Sequence, residues 1–524
     1  MRSQQQPSMG DGKVDNDAPT VVYEIDDRFN YIQGYRYWLV LFSLGVMMFI
    51  VNFEIPVVAT TVVAITSDIG GDSDRTWLLT SYLLGYVSII VISSKLSDIY
   101  GRRPLFIACM LIFLIFSAAC SAAQTITQLI IFRAFQGLGG GGSYSLGTII
   151  TIELVPKAHI PATTARLSIT VSLGLLLGPI IGGVISSNTT WRWIFIMIVP
   201  FAAVCLAFII LGMPKDFPYQ GRPNQLQHNF NYRTFKSTLG RLDIQGALLL
   251  LFAVVSLTAG FEEADSRFPW SSAYVITLLT LSGVFWLLLL VWERHVTNKS
   301  SIREPVLTWR FFTNRHMMGV LLTFLFLGGP FVVSVYQLPQ RFQLVNGLNG
   351  LDAALRLIPF TIASPLGTGL AAAVAGKFKV PAILIIITGA CLQVIGFSLL
   401  GTLPITTDLL PRTYGFEVIA GFGCGMNLAL LFVIIPLVAE QRDQAVGMGA
   451  ASQFRMMGSA ISAAVVTSVY NGRLVGMDTS DMGGERVRLM YAGAFNQQMI
   501  VLAAFAAAQI PSALLLWKKP QIRT

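Results

Sequence analysis

The sequence contains few charged residues for its length. Asp, Glu, Lys and Arg together make up 12% of its 524 residues, whereas hydrophobic residues make up 54%. A soluble globular protein carries about 25% charged residues, so too little polar surface is available here to cover a water-soluble body. Soluble enzymes, coiled coils and disordered scaffolds are therefore excluded. The mean hydropathy of +0.65 indicates a polytopic membrane protein.

Cysteine and histidine are also scarce, and neither is arranged as a binding site. The five cysteines lie far apart inside apolar segments, and the four histidines lie in polar connections or at segment edges. This spacing matches no metal site and no disulfide framework, and no phosphate loop of the GxxxxGK[ST] type occurs. We expect no metal, no cofactor, no catalytic residues and no use of ATP. The net charge of +9 indicates basic loops facing an anionic membrane surface rather than a nucleic-acid partner.

Apolar segments recur along almost the whole chain. A membrane-spanning helix needs about 20 mostly apolar residues. The first such segment is expected to be an uncleaved span, because the residues before it lack the basic n-region and cleavage site of a signal peptide. In all, 14 segments are predicted to span the membrane: 38–64, 77–96, 104–123, 128–153, 167–187, 192–213, 244–263, 271–292, 317–339, 352–375, 381–402, 413–439, 446–470 and 493–517.

Two polar stretches, at 214–243 and 293–316, divide these spans into groups of six, two and six. Repeated helical bundles are the architecture of secondary transporters, whose substrates bind near the midplane between the halves. We predict an all-α membrane protein with two six-helix bundles and an inserted helix pair. The expected order is a cytoplasmic tail (1–37), the first bundle (38–213), connectors that contain the helix pair (214–316, with the pair at 244–263 and 271–292), the second bundle (317–517) and a cytoplasmic tail (518–524).

The basic residues favour one orientation of these spans. If both termini lie in the cytoplasm, 25 of the 36 Lys and Arg residues fall on the cytoplasmic side, 7 fall outside and 4 lie in spans or at their edges. This bias agrees with the positive-inside rule and predicts cytoplasmic N and C termini. An acidic outer connection contains Glu262 and Glu263. The sequon at Asn188 also falls in an outer loop, where it is either glycosylated or too close to the bilayer for modification.

Three polar residues stand inside predicted spans: Glu54 in the first span, and Arg133 and Gln136 in the fourth. A charged side chain at the bilayer centre costs about 2.5–3.5 kcal/mol on insertion scales. Arg133 and Gln136 share a helix face, and a buried arginine needs a partner, for which Glu54 is a candidate. These residues either bind and release protons as access alternates between the two sides, or they only fasten helices together.

One face of the fifth predicted span carries almost no side chains. Gly174, Gly178 and Gly182 repeat at four-residue steps, and Pro179 and Gly183 stand beside them. Such a stripe lets another helix approach closely, and the proline bends the helix. We expect this face to allow rocking against the opposite bundle without interlocking side chains.

The loop between the second and third spans is short and charged. It contains Asp98, the turn residue Gly101, and the adjacent Arg102 and Arg103. These residues either clamp the ends of two helices through charge-assisted hydrogen bonds, or they only follow the positive-inside rule.

Taken in chain order, these motifs resemble those of a transporter family. The loop with Asp98 and Arg102 resembles the signature loop of the major facilitator superfamily, the segment from Arg133 to Gly137 resembles its fourth-helix motif, and the glycine stripe resembles its antiporter motif. Further blocks are similar to the fourteen-span drug:proton antiporter branch, in particular its fungal members: Trp77 to Tyr82, Trp191 to Phe195, Leu242 to Gly246 and Tyr336 to Gln343. The likeness covers residues 38–517. It implies the major facilitator fold and proton-coupled efflux of drugs, toxins or secondary metabolites, with proton coupling by Glu54, Arg133 and Gln136.

The motifs leave three functions to compare. The antiporter stripe favours export over proton-coupled uptake of a siderophore or nutrient, and the charged residues inside spans argue against a non-transporting scaffold. We expect a monomer in the plasma membrane or the vacuolar membrane, whose partners are a small-molecule substrate, protons and lipid. The substrate is expected between the bundles, in contact with polar candidates: Asn52, Tyr144, Gln337, Arg341 and Asn427.

Overall fold

The computed structural model describes residues 31–70, 75–156, 159–218, 243–265, 267–298, 305–440, 443–474 and 484–518. These residues form α-helices joined by short connections, and within them the only β-type pairing is an isolated bridge between Ala264 and Phe268. Residues 1–30 and 519–524 of the predicted tails, and 219–242 of the first connector, lie outside the described residues.

The N-terminal half begins with one very long helix and continues with helices separated by tight connections. Gly101 adopts a φ of 93°, which lets the chain turn directly from the second helix into the third. The Thr125 side chain accepts a hydrogen bond from the backbone N–H of Gln128 and so caps the fourth helix. The helices are α1 (Tyr35–Ile69), α2 (Arg75–Tyr100), α3 (Arg102–Ala122), α4 (Ile126–Glu153), α5 (Ile160–Asn188), α6 (Trp193–Ile196) and α7 (Ile198–Gly212).

The rest of the chain forms the inserted pair and the C-terminal half. A π-helical segment, Gly329–Val333, joins two of the helices. The helices are α8 (Ile244–Glu263), α9 (Ala273–Asn298), α10 (Arg310–Thr313), α11 (Arg315–Gly328), α12 (Ser334–Leu344), α13 (Gly350–Leu355), α14 (Ile358–Lys377), α15 (Ala382–Gly401), α16 (Arg412–Val438), α17 (Gln444–Leu474) and α18 (Gly484–Leu514).

Within the described residues, 12 helical stretches are long and apolar enough to cross a membrane. The chain is therefore a multi-pass membrane protein built from helices, as the composition predicts. The predicted spans that coincide with α4 and α17 are not among the 12. These two helices carry Arg133 and Arg455 together with many glycine, serine and glutamine residues, which lowers their hydropathy.

The two halves repeat one packing scheme. In the N-terminal half α4 packs against α2 and α3, and α1 packs against α5. In the C-terminal half α16 packs against α14 and α15, and α11 packs against α17. The halves meet where α2 contacts α17 and where α5 contacts α14. This arrangement leaves a space between the halves that is bordered by α1, α2, α8, α12 and α17.

The inserted pair is joined asymmetrically to this body. Helix α8 packs against both α2 and α17, and therefore touches both halves, whereas α9 packs mainly against α8. Only 17% of the most apolar stretch of α9 is buried inside the protein, so most of the surface of this helix is left for lipid. In the inserted pair, α8 therefore contacts both halves, and α9 lies at the periphery behind it.

Candidate functional site

Glu54 of α1 and Arg133 of α4 form an ion pair, and both side chains have no exposed surface. The Arg133 Nη1 atom donates to Glu54 Oε1 and also to the side-chain oxygen of Gln136 at 3.0 Å. Its Nε atom donates to the backbone carbonyl of Leu78 in α2 at 3.2 Å. Glu54 and Arg133, which lie in separate predicted spans, therefore meet in the structure and connect α1, α2 and α4.

The surroundings of this ion pair leave hydrogen-bonding capacity unused. The guanidinium lies 4.4 Å from the centroid of the Tyr82 ring, a cation–π arrangement. The second Glu54 oxygen, the Nη2 atom of Arg133 and the Tyr82 hydroxyl are buried without a hydrogen-bond partner among the described residues. Buried polar atoms of this kind are uncommon and mark places where a proton or water can bind.

The glycine stripe of α5 faces α1, on the segment that carries Glu54. A side chain at Gly174 would collide with the backbone at Phe49, and one at Gly178 would collide with Pro56. The expectation that the stripe faces the opposite bundle is therefore wrong. The stripe brings α1 and α5 of one half together, and α5 reaches α14 of the other half separately.

The other members of the predicted stripe differ from one another in environment. Gly182 lies against Val57 and Thr60 of α1, whereas an added side chain at Gly183 would meet open space. Pro179 lies within α5. Close approach to α1 therefore depends on the glycines at four-residue steps and not on Gly183.

A cavity of about 330 Å³ lies between the two halves. Its lining is mostly apolar, and it includes the predicted substrate residues Asn52 of α1 and Gln337 of α12. Arg455 of α17 also lines it, with 2% of its surface exposed. The cavity adjoins the ion pair, because Asn52 and Ile55, which flank Glu54 on α1, both line it.

The π-helical segment forms another part of the cavity wall. Phe331, Val332 and Val333 of this segment line the cavity. A π-helical turn inserts an extra residue into an α-helix and often occurs at functional sites. The sequence signal is the Gly328-Gly329-Pro330 run inside the span predicted at 317–339, whose hydropathy alone indicates one continuous helix.

The inserted helix α8 supplies an acidic group to the same cavity. Thr258 and Glu262 line it, and the neighbouring Glu263 is fully buried. The sequence predicted both glutamates at the acidic outer connection, and in the structure they form the last turn of α8, which ends at Glu263. An end of a helix that touches both halves can thus contact a bound molecule.

The remaining predicted substrate residues do not line the central cavity. Tyr144 lines a smaller cavity and accepts a hydrogen bond from Arg455 at 3.1 Å. Asn427 donates to Gln509 at 2.8 Å inside the C-terminal half. Arg341 lies on α12, one turn beyond Gln337. Asn188 is the last residue of α5, where its exposed side chain donates to a backbone carbonyl of the same helix.

One end of the central cavity is closed by contacts between the halves. The backbone N–H of Val91 in α2 donates to the Gln453 side chain of α17 at 3.3 Å. At the next turn of α2, Ser94 lies directly against Gly449 of α17. The described conformation therefore blocks passage at the end of the molecule where the α2–α3 loop lies.

The charged residues at the α2–α3 loop hold four helices together at that end. Arg102 donates to Asp98 at 2.6 Å and to Glu153, the last residue of α4, at 2.8 Å. Arg103 donates to the backbone carbonyl of Ile210 in α7 at 2.6 Å. Glu153 was not among the predicted loop partners, because 51 residues separate it from Arg102 and only the packing of α3 on α4 brings them together.

Two helical halves around a mostly apolar cavity that is closed at one end define a secondary transporter. Comparison with known proteins agrees with this class. The model of the Major Facilitator Superfamily matches residues 37–463. The chain therefore belongs to this superfamily, whose members are transporters that move small molecules across lipid bilayers.

Individual proteins with similar sequences extend this result to particular kinds of transporter. The MFS-type transporter FPY5 of Fusarium mangiferae is 33% identical over 507 residues, covering 93% of this chain and 84% of the relative. The MFS-type efflux pump LUC4 of Fusarium sp is 28% identical, with coverages of 88% and 79%. Multidrug resistance protein 3 of Bacillus subtilis (strain 168) is 29% identical, with coverages of 90% and 87%. They confirm the predicted resemblance to efflux-type members, fungal ones among them.

Solved structures share the fold. The human organic anion transporter MFSD10 (TETRAN) gives a TM-score of 0.55 at 17% identity, with 90% of this chain and 100% of that chain covered. The proton:xylose symporter XylE gives a TM-score of 0.56 at 16% identity, with coverages of 91% and 96%. At these identities the likeness concerns the fold alone.

Proposed function

We propose that this protein exports hydrophobic small molecules in exchange for protons, by alternating access between its two halves. The observation that carries the proposal is the Glu54–Arg133 ion pair, which is fully buried directly behind the wall of the central cavity. A buried ion pair is costly to form, and a carboxyl group there can exchange a proton when one side of the cavity opens to water. The names of the fungal relatives, which include an efflux pump, support export over uptake.

Coupling follows from the contacts of the pair. When Glu54 takes up a proton, Arg133 loses its counter-charge and keeps the side-chain oxygen of Gln136, the backbone oxygen of Leu78 and the ring of Tyr82 as partners. The loss frees α1 from α4 on the segment that also lines the cavity. Because α1 meets α5 through glycines at this level, α1 can shift along α5 without unlocking side chains. Proton binding is in this way tied to the shape of the cavity.

The proposal includes the arrangement in the membrane. The chain crosses it 14 times, with α4 and α17 as the two central spans of low hydropathy, and both termini face the cytoplasm. The closed end of the cavity is then the cytoplasmic end, and the described conformation faces outward. The protein acts as a monomer in the plasma membrane, and the mostly apolar cavity lining selects hydrophobic molecules.

The test is the direction of transport and its dependence on external pH. Cells with and without the protein are loaded with a panel of hydrophobic drugs and metabolites, and accumulation is measured at two external pH values. One unit of pH difference supplies about 1.4 kcal/mol per proton, enough for a roughly tenfold change in the concentration ratio of a neutral solute. We expect lower accumulation with the protein, most strongly at acidic external pH. Net uptake driven by external acid would refute the export proposal.

A further inference from the structure

Helices α4 and α16 carry the same spaced pattern of residues. In α4, Arg133 is followed by glycines at the fourth, sixth and eighth positions after it. In α16, Glu417 is followed by glycines at the same three positions. The two helices therefore align without a gap, with an acid in the C-terminal half at the position of the base in the N-terminal half.

The packing of the glycines confirms that this alignment is structural. In α4, Gly137 and Gly141 lie against the backbone of α2, and Gly139 lies against α3 at Phe113. In α16, Gly421 and Gly425 lie against the backbone of α14, and Gly423 lies against α15 at Gly389. Each helix thus uses alternate glycines to contact the corresponding two neighbours in its own half, so Glu417 occupies the place of Arg133.

The partner residues of Arg133 and Glu417 also have opposite charges. Arg133 pairs with Glu54 on α1, the first long helix of its half, whereas Arg341 stands next to Phe342, whose ring stacks on Tyr414 one turn before Glu417. Arg341 lies on α12, which continues the first helix of the C-terminal half through the π-helical segment. The C-terminal half therefore holds the same acid–base combination with its two members exchanged.

The described conformation leaves the Glu417 carboxyl group unpaired. Its side chain has no exposed surface, and neither oxygen has a hydrogen-bond partner among the described residues. Arg341 instead donates to the Asn496 side chain at 3.4 Å and lies 4.8 Å from the centroid of the Phe495 ring. An uncompensated buried carboxylate is costly, so this arrangement suits the neutral acid.

Few other charges lie near Glu417. Helix α15 contains no charged residue. Lys377 of α14 and Arg315 of α11 each lie at the end of their helix that is remote from Glu417. Arg356 stands one turn before Phe360, the contact of Gly421, and forms no ion pair with Glu417 within the described residues. Arg341 forms no ion pair with Glu417 in the described conformation either, but its neighbour Phe342 stacks on α16 one turn from Glu417, so Arg341 is the base placed to reach an ionised Glu417.

A narrow cavity next to the central cavity borders Arg341. Gln337 lines the central cavity and also a narrow second cavity, and Arg341 lies one turn further along the same helix and lines the narrow one. Gln340, Gln498, Tyr470 and Tyr491 complete the polar part of that lining. The two cavities therefore adjoin at Gln337, and the narrow one borders the guanidinium.

We propose that Glu417 is a second proton-binding site, in which Arg341 exchanges Asn496 for the carboxylate when the proton leaves. The O–H bond of the carboxyl group breaks, the proton passes to cavity water, and the carboxylate takes the guanidinium as its partner. Each half then carries one proton-binding acid, Glu54 or Glu417. The use of this proton in transport rests on the proposed function, but its binding does not.

The experiment measures protonation directly and needs no transported substrate. Reconstituted protein is titrated with alkali, and infrared difference spectra follow the C=O stretch of protonated carboxyl groups in H₂O and D₂O. Glu417→Gln is expected to remove one titrating band that Glu54→Gln and the exposed control Glu485→Gln both keep. Arg341→Gln is expected to alter the pH dependence of that band, whereas Arg356→Gln leaves it unchanged.

The outcomes separate this proposal from the proposed function. Spectra of Glu417→Gln identical to those of the unmodified protein would overturn the proposal, whatever the transport assay gives. Loss of proton-driven export with an intact Glu417 band would overturn the proposed function alone. If Glu417→Gln does not fold, Glu417→Asp serves instead: it must shift the band, and an unshifted band contradicts the proposal.

Discussion

Arg455 of the C-terminal half donates a hydrogen bond to the hydroxyl of Tyr144 in the N-terminal half, at 3.1 Å. Arg455 also lines the central cavity, and its guanidinium lies near the rings of Tyr144 and Phe331. The bond crosses the boundary between the halves close to the closed end of the cavity. It therefore stabilises the closed end and, on the proposed topology, the outward-facing state.

Removing the acceptor should weaken this closure. Tyr144→Phe keeps the ring and deletes the hydroxyl, and a hydrogen bond to a charged group contributes about 1.5–3 kcal/mol. We expect a roughly tenfold or larger gain in the population open at that end. The measurement is the rate at which a maleimide labels Ser94→Cys, at the closed contact with Gly449, in protein whose exposed Cys391 is replaced by serine.

The matched control for this change is Tyr414→Phe, which removes a hydroxyl from α16, away from the contact between the halves. Its labelling rate should equal that of the parent protein. Equal labelling of the Tyr144→Phe and Tyr414→Phe proteins would show that the Arg455–Tyr144 bond does not hold the closed end.

The glycine stripe provides two substitutions of equal size, of which only one is expected to affect transport. An added methyl group at Gly178 would lie 2.9 Å from the Pro56 side chain and 3.1 Å from the Phe53 carbonyl oxygen, whereas one at Gly183 would meet open space. Overpacking costs about 1–3 kcal/mol. Gly178→Ala should therefore lower export rates per inserted molecule, and Gly183→Ala should leave them unchanged. Similar rates for both variants would contradict the assigned contact of α1 with α5.

The ion pair of Arg102 with Glu153 clamps α3 to α4 at the α2–α3 loop, and the effects of substituting its two residues on stability should not be additive. Arg102→Gln and Glu153→Gln each break the same contact between α3 and α4. Residues in direct contact show coupling of about 0.5–3 kcal/mol, so the double variant should lower the apparent Tm in detergent little more than either single variant. Arg102→Gln combined with the exposed Glu485→Gln should be additive. Additive losses for the Arg102 and Glu153 pair would rule out the clamp.

The sequence predicted well those features that depend on one helix alone. The inserted span was expected at 244–263 and is found at Ile244–Glu263, because length and hydropathy decide where a helix enters the membrane. Glu54 and Arg133 were visible for the same reason, since a charge inside an apolar run is conspicuous in any sequence.

Features that depend on the rotation and pairing of helices were not visible. The face that the α5 stripe presents to α1, the reach of Glu153 to Arg102 and the position of Glu262 in the cavity wall all depend on packing between distant segments. Glu417 also stood inside an apolar span and was overlooked, although its spacing to the following glycines repeats that of Arg133. Comparing the two halves at the level of motifs would have found it.

The central claim is that Glu54 and Arg133 couple proton movement to export, and proteoliposomes test it most directly. Each variant is reconstituted, and transport of an exported drug is measured twice: driven by a pH gradient, and as exchange between two drug pools without a gradient. We predict that Glu54→Gln and Arg133→Ala abolish the gradient-driven transport, that both proteins remain inserted, and that Glu54→Gln keeps exchange. Full gradient-driven transport in both variants would contradict the account and leave the buried pair with a structural role only.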